Sequence, residues 1–310
     1  MEHNLIDKAE LKRISEELQI PFSNLLAGYV IEELLYLIYD TGFGEYLWLK
    51  NDAFLGVGNY RGIQYFSLDF VYHTEEKVLR TEKLIPGQKM TEALAQEMIS
   101  QIFVKEKNKK IRWKYKSVLK NDVLTVDVMA EFEEMKVPVA INFSLVEMQG
   151  IFPEKRELKL FVDPHTKISY KRYPTEKIIA EQIVYMVQFM ELIPSMQPYD
   201  VVYQIIAKEP VDGRRIQETL AEICEKEEFI CSEERIEMFA KYQNYSYMKK
   251  RWEKYAKHQK KEHKNTDLEI PEWQELIKIL LNFMCPIWQS INKDEIFFGD
   301  WMPALGRYLD

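Results

Sequence analysis

Glycine is scarce, 11 residues in 310. Neither GxGxxG nor GxxxxGK[ST] occurs, so the chain has no glycine-rich loop of the kind that cradles phosphates. Cysteine is also sparse. Cys224, Cys231 and Cys285 are odd in number and lack CxxC spacing, which reads as reduced thiols rather than a disulfide frame or a zinc site. Long apolar runs are missing too. The most apolar stretch, LLAGYVIEELLYLIY, carries Glu32 and Glu33, which a membrane span rarely tolerates. The start, MEHNLIDKAELKR, mixes acids and bases and lacks the apolar core of a signal peptide. Together these absences lead us to expect a soluble, cytoplasmic protein with no membrane partner.

What is present is aromatic and acidic. Phe, Tyr and Trp make up 13% of the chain, and the net charge of −8 argues against a surface coated for nucleic acid, though local patches can differ. Asp7 is placed to cap a helix over DKAELKRISEEL, and FSNLLAGYVIEELLYLIYD continues at helical spacing. EYLWLKN and IQYFSLDFVY read as strands, and MTEALAQEMISQIF as a helix capped by Thr91. IRWKYKSV, VLTVDVMAEF and VPVAINFSLV then alternate as antiparallel strands, with ELKLFV a further short one. From Pro174 the pattern turns almost wholly helical, beginning with TEKIIAEQIVYMVQFMELI and Thr175 at its cap. The expected fold class is α+β: a mixed sheet with flanking helices over 1–168, then a helical bundle over 169–310.

Two constellations bear on function. Asp69 sits in YFSLDFVY, where strand alternation places Ser67, Asp69 and Val71 on one face, and Asp127 sits mid-strand in VLTVDVM. On adjacent strands the two carboxylates would meet and could hold Mg²⁺, as metal-assisted phosphoryl transfer requires. The other reading is two solvated strand residues. Separately, KYQNYSYMKKRWEKYAKHQKKEHK (241–264) holds nine Lys or Arg against two Glu, a net +7 that leaves −15 elsewhere. As a helix it sets Tyr245, Met248, Trp252 and Tyr255 on one face and Lys250, Lys254, Lys257, Lys261 and Lys264 on the other. A phosphate backbone suits such a stripe, and so does a docked helix with a solvated basic face. Arg112, Lys114 and Lys116 form a second basic strip, which favours RNA. The histidines say little: His258 and His263 miss the i,i+4 metal spacing, and His73 follows the Asp69 strand.

The order of blocks resembles the AbiEii/AbiGii-type toxin family of abortive-infection nucleotidyltransferases over most of residues 5–210. The strand ending Leu-Lys-Gly-Gly-Thr-Ala-Leu in that family reads LKNDAFL here, Leu49 to Leu55. Arg-Phe-Ser-x-Asp-x-Asp-Phe reads YFSLDFVY, and a later strand acid is matched by Asp127 in VDV. Ala-Glu-Lys-Leu reads AEQI, Ala180 to Ile183, and Arg-Asp-x-x-Asp-Leu reads MQPYDV, Met196 to Val201.

The resemblance implies a nucleotidyltransferase fold with NTP as substrate and Mg²⁺ held by Asp69 and Asp127. It also implies Asp69, Asp127 and Asp200 as catalytic residues. Lys50, Asn51, Ser67, Glu181 and Gln182 would line the nucleotide site, with Lys250, Lys254, Lys257 and Lys261 along an RNA such as tRNA. The reaction would be in-line attack on the α-phosphate with pyrophosphate leaving, in a toxin–antitoxin or phage-defence setting with a cognate antitoxin or defence-system protein as partner. The departures fall on the chemistry. The glycine pair is Asn51-Asp52, the arginine is Tyr65, and the lysine is Gln182; of the two acids one is lost, the second to Val71 or, with Ser67-Leu68-Asp69 set on the Asp-x-Asp, the first to Ser67. Met196 and Gln197 replace a further arginine and aspartate. These losses imply impaired catalysis, or a scaffold kept for binding alone.

Overall fold

In the strand VLTVDVMAEF every second side chain is buried, so one sheet face must be covered and the other left polar. The computed structural model shows this arrangement. It describes residues 6–52, 54–62, 67–73, 91–104, 110–120, 123–146, 153–262 and 270–309. The chain divides into two compact units, Met1–Tyr173 and Pro174–Asp310.

In the first unit, α1 (Lys8–Leu18) starts at Asp7, whose side chain accepts from Glu10 N at 2.9 Å. α2 (Phe22–Tyr39) enters through Pro21 and buries most of its circumference, Glu32 and Glu33 included. After β1 (Leu47–Leu49) and β2 (Ser67–His73), α3 (Glu92–Val104) is capped by Thr91, whose hydroxyl accepts from Leu94 N. β3 (Ile111–Lys120), β4 (Val123–Phe132), β5 (Met135–Val146), β6 (Glu154–Lys159) and β7 (Lys167–Arg172) follow. Among the described residues these make a seven-stranded sheet in the order β3-β4-β5-β2-β1-β7-β6. It is mixed: β2 runs parallel to β5 and β1 to β7, and the remaining pairs are antiparallel.

One face carries Leu68, Phe70, Leu124, Val126, Val128, Ile141 and Phe143, all buried. α2 packs on it, with the Tyr29 ring 5.7 Å from Phe132 and the Tyr39 ring 6.1 Å from Phe70. Each such side chain contributes about 1.5–3 kcal/mol on burial. The other face is largely polar.

The second unit is mostly helical: α4 (Thr175–Phe189), α5 (Gln197–Ile206), α6 (Gly213–Lys226), α7 (Glu233–Lys241), α8 (Ser246–Glu262) and α9 (Trp273–Asn292). The expected α+β class, with a helical region following the sheet, is therefore present. Four details differ from the sequence reading. Thr175 does not cap α4; Pro174 precedes the helix, and the Thr175 hydroxyl is buried with no bond among the described residues. The helical region also contains a small sheet of β8 (Val211–Asp212), β9 (Asp300–Met302) and β10 (Arg307–Leu309). Strands two or three residues long are too short to show a period. β7, KISYKR, escaped the sequence reading as well, because half of it is charged. Finally, Cys224 and Cys231 are paired as a disulfide, with Cα atoms 6.8 Å apart, and Cys285 alone is free. The two cysteines flank the connection between α6 and α7, where Phe229 N donates to the Cys224 carbonyl at 2.8 Å, and cysteine spacing alone does not announce that turn. None of the described helices is long and apolar enough to cross a membrane.

Candidate functional site

Asp69 lies near the middle of β2 on the polar face, half-buried. Its register partner on β5 is Asn142, whose own partner on β4 is Thr125. Directly paired residues project to the same side, and here the three side chains are joined. Asn142 Nδ2 donates to Asp69 Oδ1 at 2.8 Å, and Thr125 Oγ1 donates to Asn142 Oδ1 at 3.0 Å. Ser67 Oγ approaches Asp69 Oδ2 at 3.4 Å. Lys50 N donates to the Asp69 carbonyl at 2.7 Å, which extends the β1–β2 ladder to the edge of the loop.

Asp127 shares this face but stands apart from Asp69. It pairs with Ala140 on β5, in the row of Ser67, and β5 separates its strand from β2. Two strand spacings and a two-residue offset put the Asp69 and Asp127 backbones about 12 Å apart. The adjacency on which a shared Mg²⁺ depends is therefore not formed. Asp127 is exposed, and Lys116 on β3 stands opposite it. The rest of the β3 basic strip is engaged by Glu131, which bonds Lys114 Nζ at 2.6 Å and lies 3.8 Å from Arg112. The bond from Lys114 holds the Glu131 carboxyl below the usual carboxylate range.

The turn after β1 carries Lys50, Asn51 and Asp52. Asn51 is exposed, and Lys50 Nζ lies 5.3 Å from the centre of the Tyr173 ring. Asp52 points to β7 instead: Tyr170 Oη donates to its Oδ2 at 2.8 Å, and Arg172 Nε lies 3.1 Å from its Oδ1. That second approach is angled, making an ion pair rather than a linear hydrogen bond. Asp52 is thus committed to the scaffold and does not stand in for a missing acid beside Asp69. Val71, two residues beyond Asp69 on β2, is 1% exposed opposite Trp48. A carboxylate there would be desolvated.

A hard dication needs several oxygen ligands converging at about 2.0–2.1 Å for Mg²⁺. Around Asp69 stand one carboxylate, an amide that turns its N–H₂ toward it, and two hydroxyls. Among the described residues no three His, Cys, Asp or Glu side chains gather as a metal site. This donor set does not fit Mg²⁺, and we derive no step through the metal.

The remaining sequence candidates lie in the second unit. Glu181 and Gln182 are half-buried on α4. Asp200, on α5, is nearly buried; Tyr255 Oη donates to its Oδ2 at 2.9 Å and Gln204 Nε2 to its Oδ1 at 3.2 Å. It ties α8 to α5. Lys250, Lys254, Lys257 and Lys261 are exposed on α8, with Met248 and Trp252 buried on its opposite side. Tyr65, His263, Lys264 and the side chain of His73 lie outside the described residues. Sequence reasoning missed Asn142 and the Asp52–Arg172 pair. Asn142 had a signal, the one amide in the apolar-rich strand VPVAINFSLV.

No family model and no curated protein sequence matches the chain. Two solved structures, both from Helicobacter pylori, are similar in chain course. JHP933 is 12% identical, with 89% of this chain and 96% of that one covered and a TM-score of 0.47. A proposed nucleotidyltransferase is 14% identical, with 88% and 98% covered, also at 0.47. We take the functional reading from this chain's own residues.

Proposed function

We propose that this chain is a nucleotidyltransferase-fold protein of the AbiEii/AbiGii toxin type in which transfer chemistry is impaired and the scaffold serves binding. The ancestral reaction is nucleotide transfer from an NTP to RNA such as tRNA. The setting is bacterial toxin–antitoxin or phage defence. The motif blocks at 49–55, 65–72, 180–183 and 196–201 support the kinship. One observation carries the loss of chemistry: the residue in register with Asp69 on the neighbouring strand, joined to it at 2.8 Å, is the neutral Asn142, so no second carboxylate stands beside Asp69 there. Val71 and Asp52 supply no substitute, the first buried and apolar, the second paired with Arg172.

The test is a transfer assay with each labelled NTP, Mg²⁺ or Mn²⁺ and total tRNA, run on wild type, Asp69→Ala and Asn142→Asp. No label in RNA with wild type is expected. Label that appears with wild type and disappears with Asp69→Ala would overturn the binding reading in favour of an active transferase. Its partner, on the binding reading, is RNA, an antitoxin or another defence-system protein.

A further inference from the structure

We propose that α8 is a docking rail for single-stranded polynucleotide, its lysines tracking the backbone and two tyrosines at its start stacking on bases. This names a partner for the binding reading above but stands on α8 alone. Lys250, Lys254, Lys257 and Lys261 recur at i, i+4, i+7 and i+11, all exposed, so they form one stripe about 16 Å long. None of the four makes an ion pair with another described residue; the one ion pair within α8 is Lys249–Glu253, at 4.0 Å on its flank.

The opposite side fixes the helix in its unit. Met248 and Trp252 are buried, Trp252 Nε1 donates to the Pro271 carbonyl at 2.9 Å, and Tyr255 holds Asp200. Arg251 reaches the carbonyls of Glu191 and Ile193. The stripe is therefore presented by a fixed element, not by a mobile tail.

The aromatic part is a separate observation. Tyr247 is 51% exposed and lies three residues before Lys250, on the side of the helix that begins the stripe. Its ring is 6.0 Å from that of Tyr245, itself 42% exposed, and Tyr245 in turn stacks on Tyr242 at 5.6 Å. The Arg251 guanidinium sits 5.6 Å from the Tyr247 ring and fixes it. Exposed, positioned rings beside a lysine row are what sequence-tolerant binding of unpaired bases requires, since every base has a π face. Duplex would meet the lysines but could not offer its bases to the rings.

The experiment is fluorescence anisotropy on the full chain with a labelled unstructured RNA, the same RNA as duplex, and polyglutamate as competitor, across a salt series. With four lysines engaged, log K should fall with log salt at a slope of about −3. Charge reversal of all four (K250E, K254E, K257E, K261E) should weaken binding on the order of a hundredfold or more, and replacement by arginine should restore it. Tyr247→Ala should weaken single-strand binding about tenfold and leave duplex binding unchanged. Should the quadruple variant unfold, the K250E/K254E and K257E/K261E pairs, each with its melting curve, replace it. Affinity indifferent to these substitutions, duplex bound as tightly as single strand, or polyglutamate bound more tightly than the single strand, as an acidic protein partner would require, would each overturn the proposal. The labelling assay above is independent: nucleotide transfer would remove the pseudoenzyme reading and leave the rail standing.

Discussion

Asn142 Nδ2 donates to Asp69 Oδ1 at 2.8 Å across the parallel β2–β5 pair, with the two residues in direct register. An aspartate at 142 would set two carboxylates side by side on a half-buried face, as a hard cation prefers. Asn142→Asp is therefore expected to lose about 1 kcal/mol of stability without metal, through the lost bond and like-charge contact. It should regain that stability in millimolar Mn²⁺, because a cation that binds only the folded state raises its stability. Wild type should show no such metal-dependent rise. Melting curves with and without Mn²⁺ decide this; a rise in wild type equal to that in the variant would mean that Asp69 already holds metal.

Asp52 and Arg172 make the second prediction. The Arg172 side chain is 8% exposed and that of Asp52 13%, so the pair is well shielded. Removing one partner weakens the hold on the other, although Asp52 keeps the Tyr170 hydroxyl at 2.8 Å and Arg172 a longer contact to Glu154 at 3.7 Å. Asp52→Ala should cost about 2–3 kcal/mol, below the usual penalty for a broken buried pair because of that second acid. Replacing both residues should cost less than the two single changes added together. Urea denaturation of the four proteins gives the coupling directly.

The same two relationships mark what the sequence could and could not say. Alternation in VLTVDVMAEF and IRWKYKSV placed the strands and their polar face, because a side-chain period of two is local. Strand order is not local. That β5 lies between β2 and β4 is decided by a crossover connection, and this, with a two-residue offset in register, separates Asp127 from Asp69. Asp52 was legible only as a carboxylate where the resembled family has glycine, since its partners Tyr170 and Arg172 lie about 120 residues further on, in a strand too charged to be recognised. The two faces of the basic helix were legible for Met248 and Trp252 against Lys250, Lys254, Lys257 and Lys261, because 3.6 periodicity needs only its own residues; Tyr245, read onto the apolar face, instead precedes the helix and is exposed, and Lys264 lies outside the described residues.

Asp200 binds Tyr255 at 2.9 Å inside the second unit, so the third prediction concerns α8. Tyr255→Phe removes one donor to a nearly buried carboxylate that Gln204 continues to hold. The expected loss is about 1–2 kcal/mol, with amide exchange quickened in α8 and unchanged in the sheet. Uniform quickening across both units would show that the bond supports the whole fold rather than the docking of this helix.

Glu32 supplies the fourth. It is 1% exposed on α2, where the Tyr60 hydroxyl donates to Oε1 at 2.5 Å and Phe161 N to Oε2 at 2.9 Å. Burial pushes its carboxyl up from 4.5 to about 7, outweighing both bonds. The folded chain thus binds a proton that the unfolded chain has already released between these values. The contribution of Glu32 to stability is fully present below pH 4.5 and is lost as pH rises to about 7, a fall of about 3 kcal/mol from this group. Glu32→Gln should abolish that fall, since an amide mimics the protonated acid: its oxygen accepts from Phe161 and its N–H₂ donates to the Tyr60 oxygen. Gly28 makes the geometry possible, as a Cβ there would lie 2.4 Å from the Tyr60 ring. Unfolding free energies measured from pH 4.5 to 8 should slope downward in wild type and run nearly flat in Glu32→Gln, with the variant the more stable of the two at pH 8. Parallel slopes would show that Glu32 ionises normally and that its contacts to Tyr60 and Phe161 outweigh its burial.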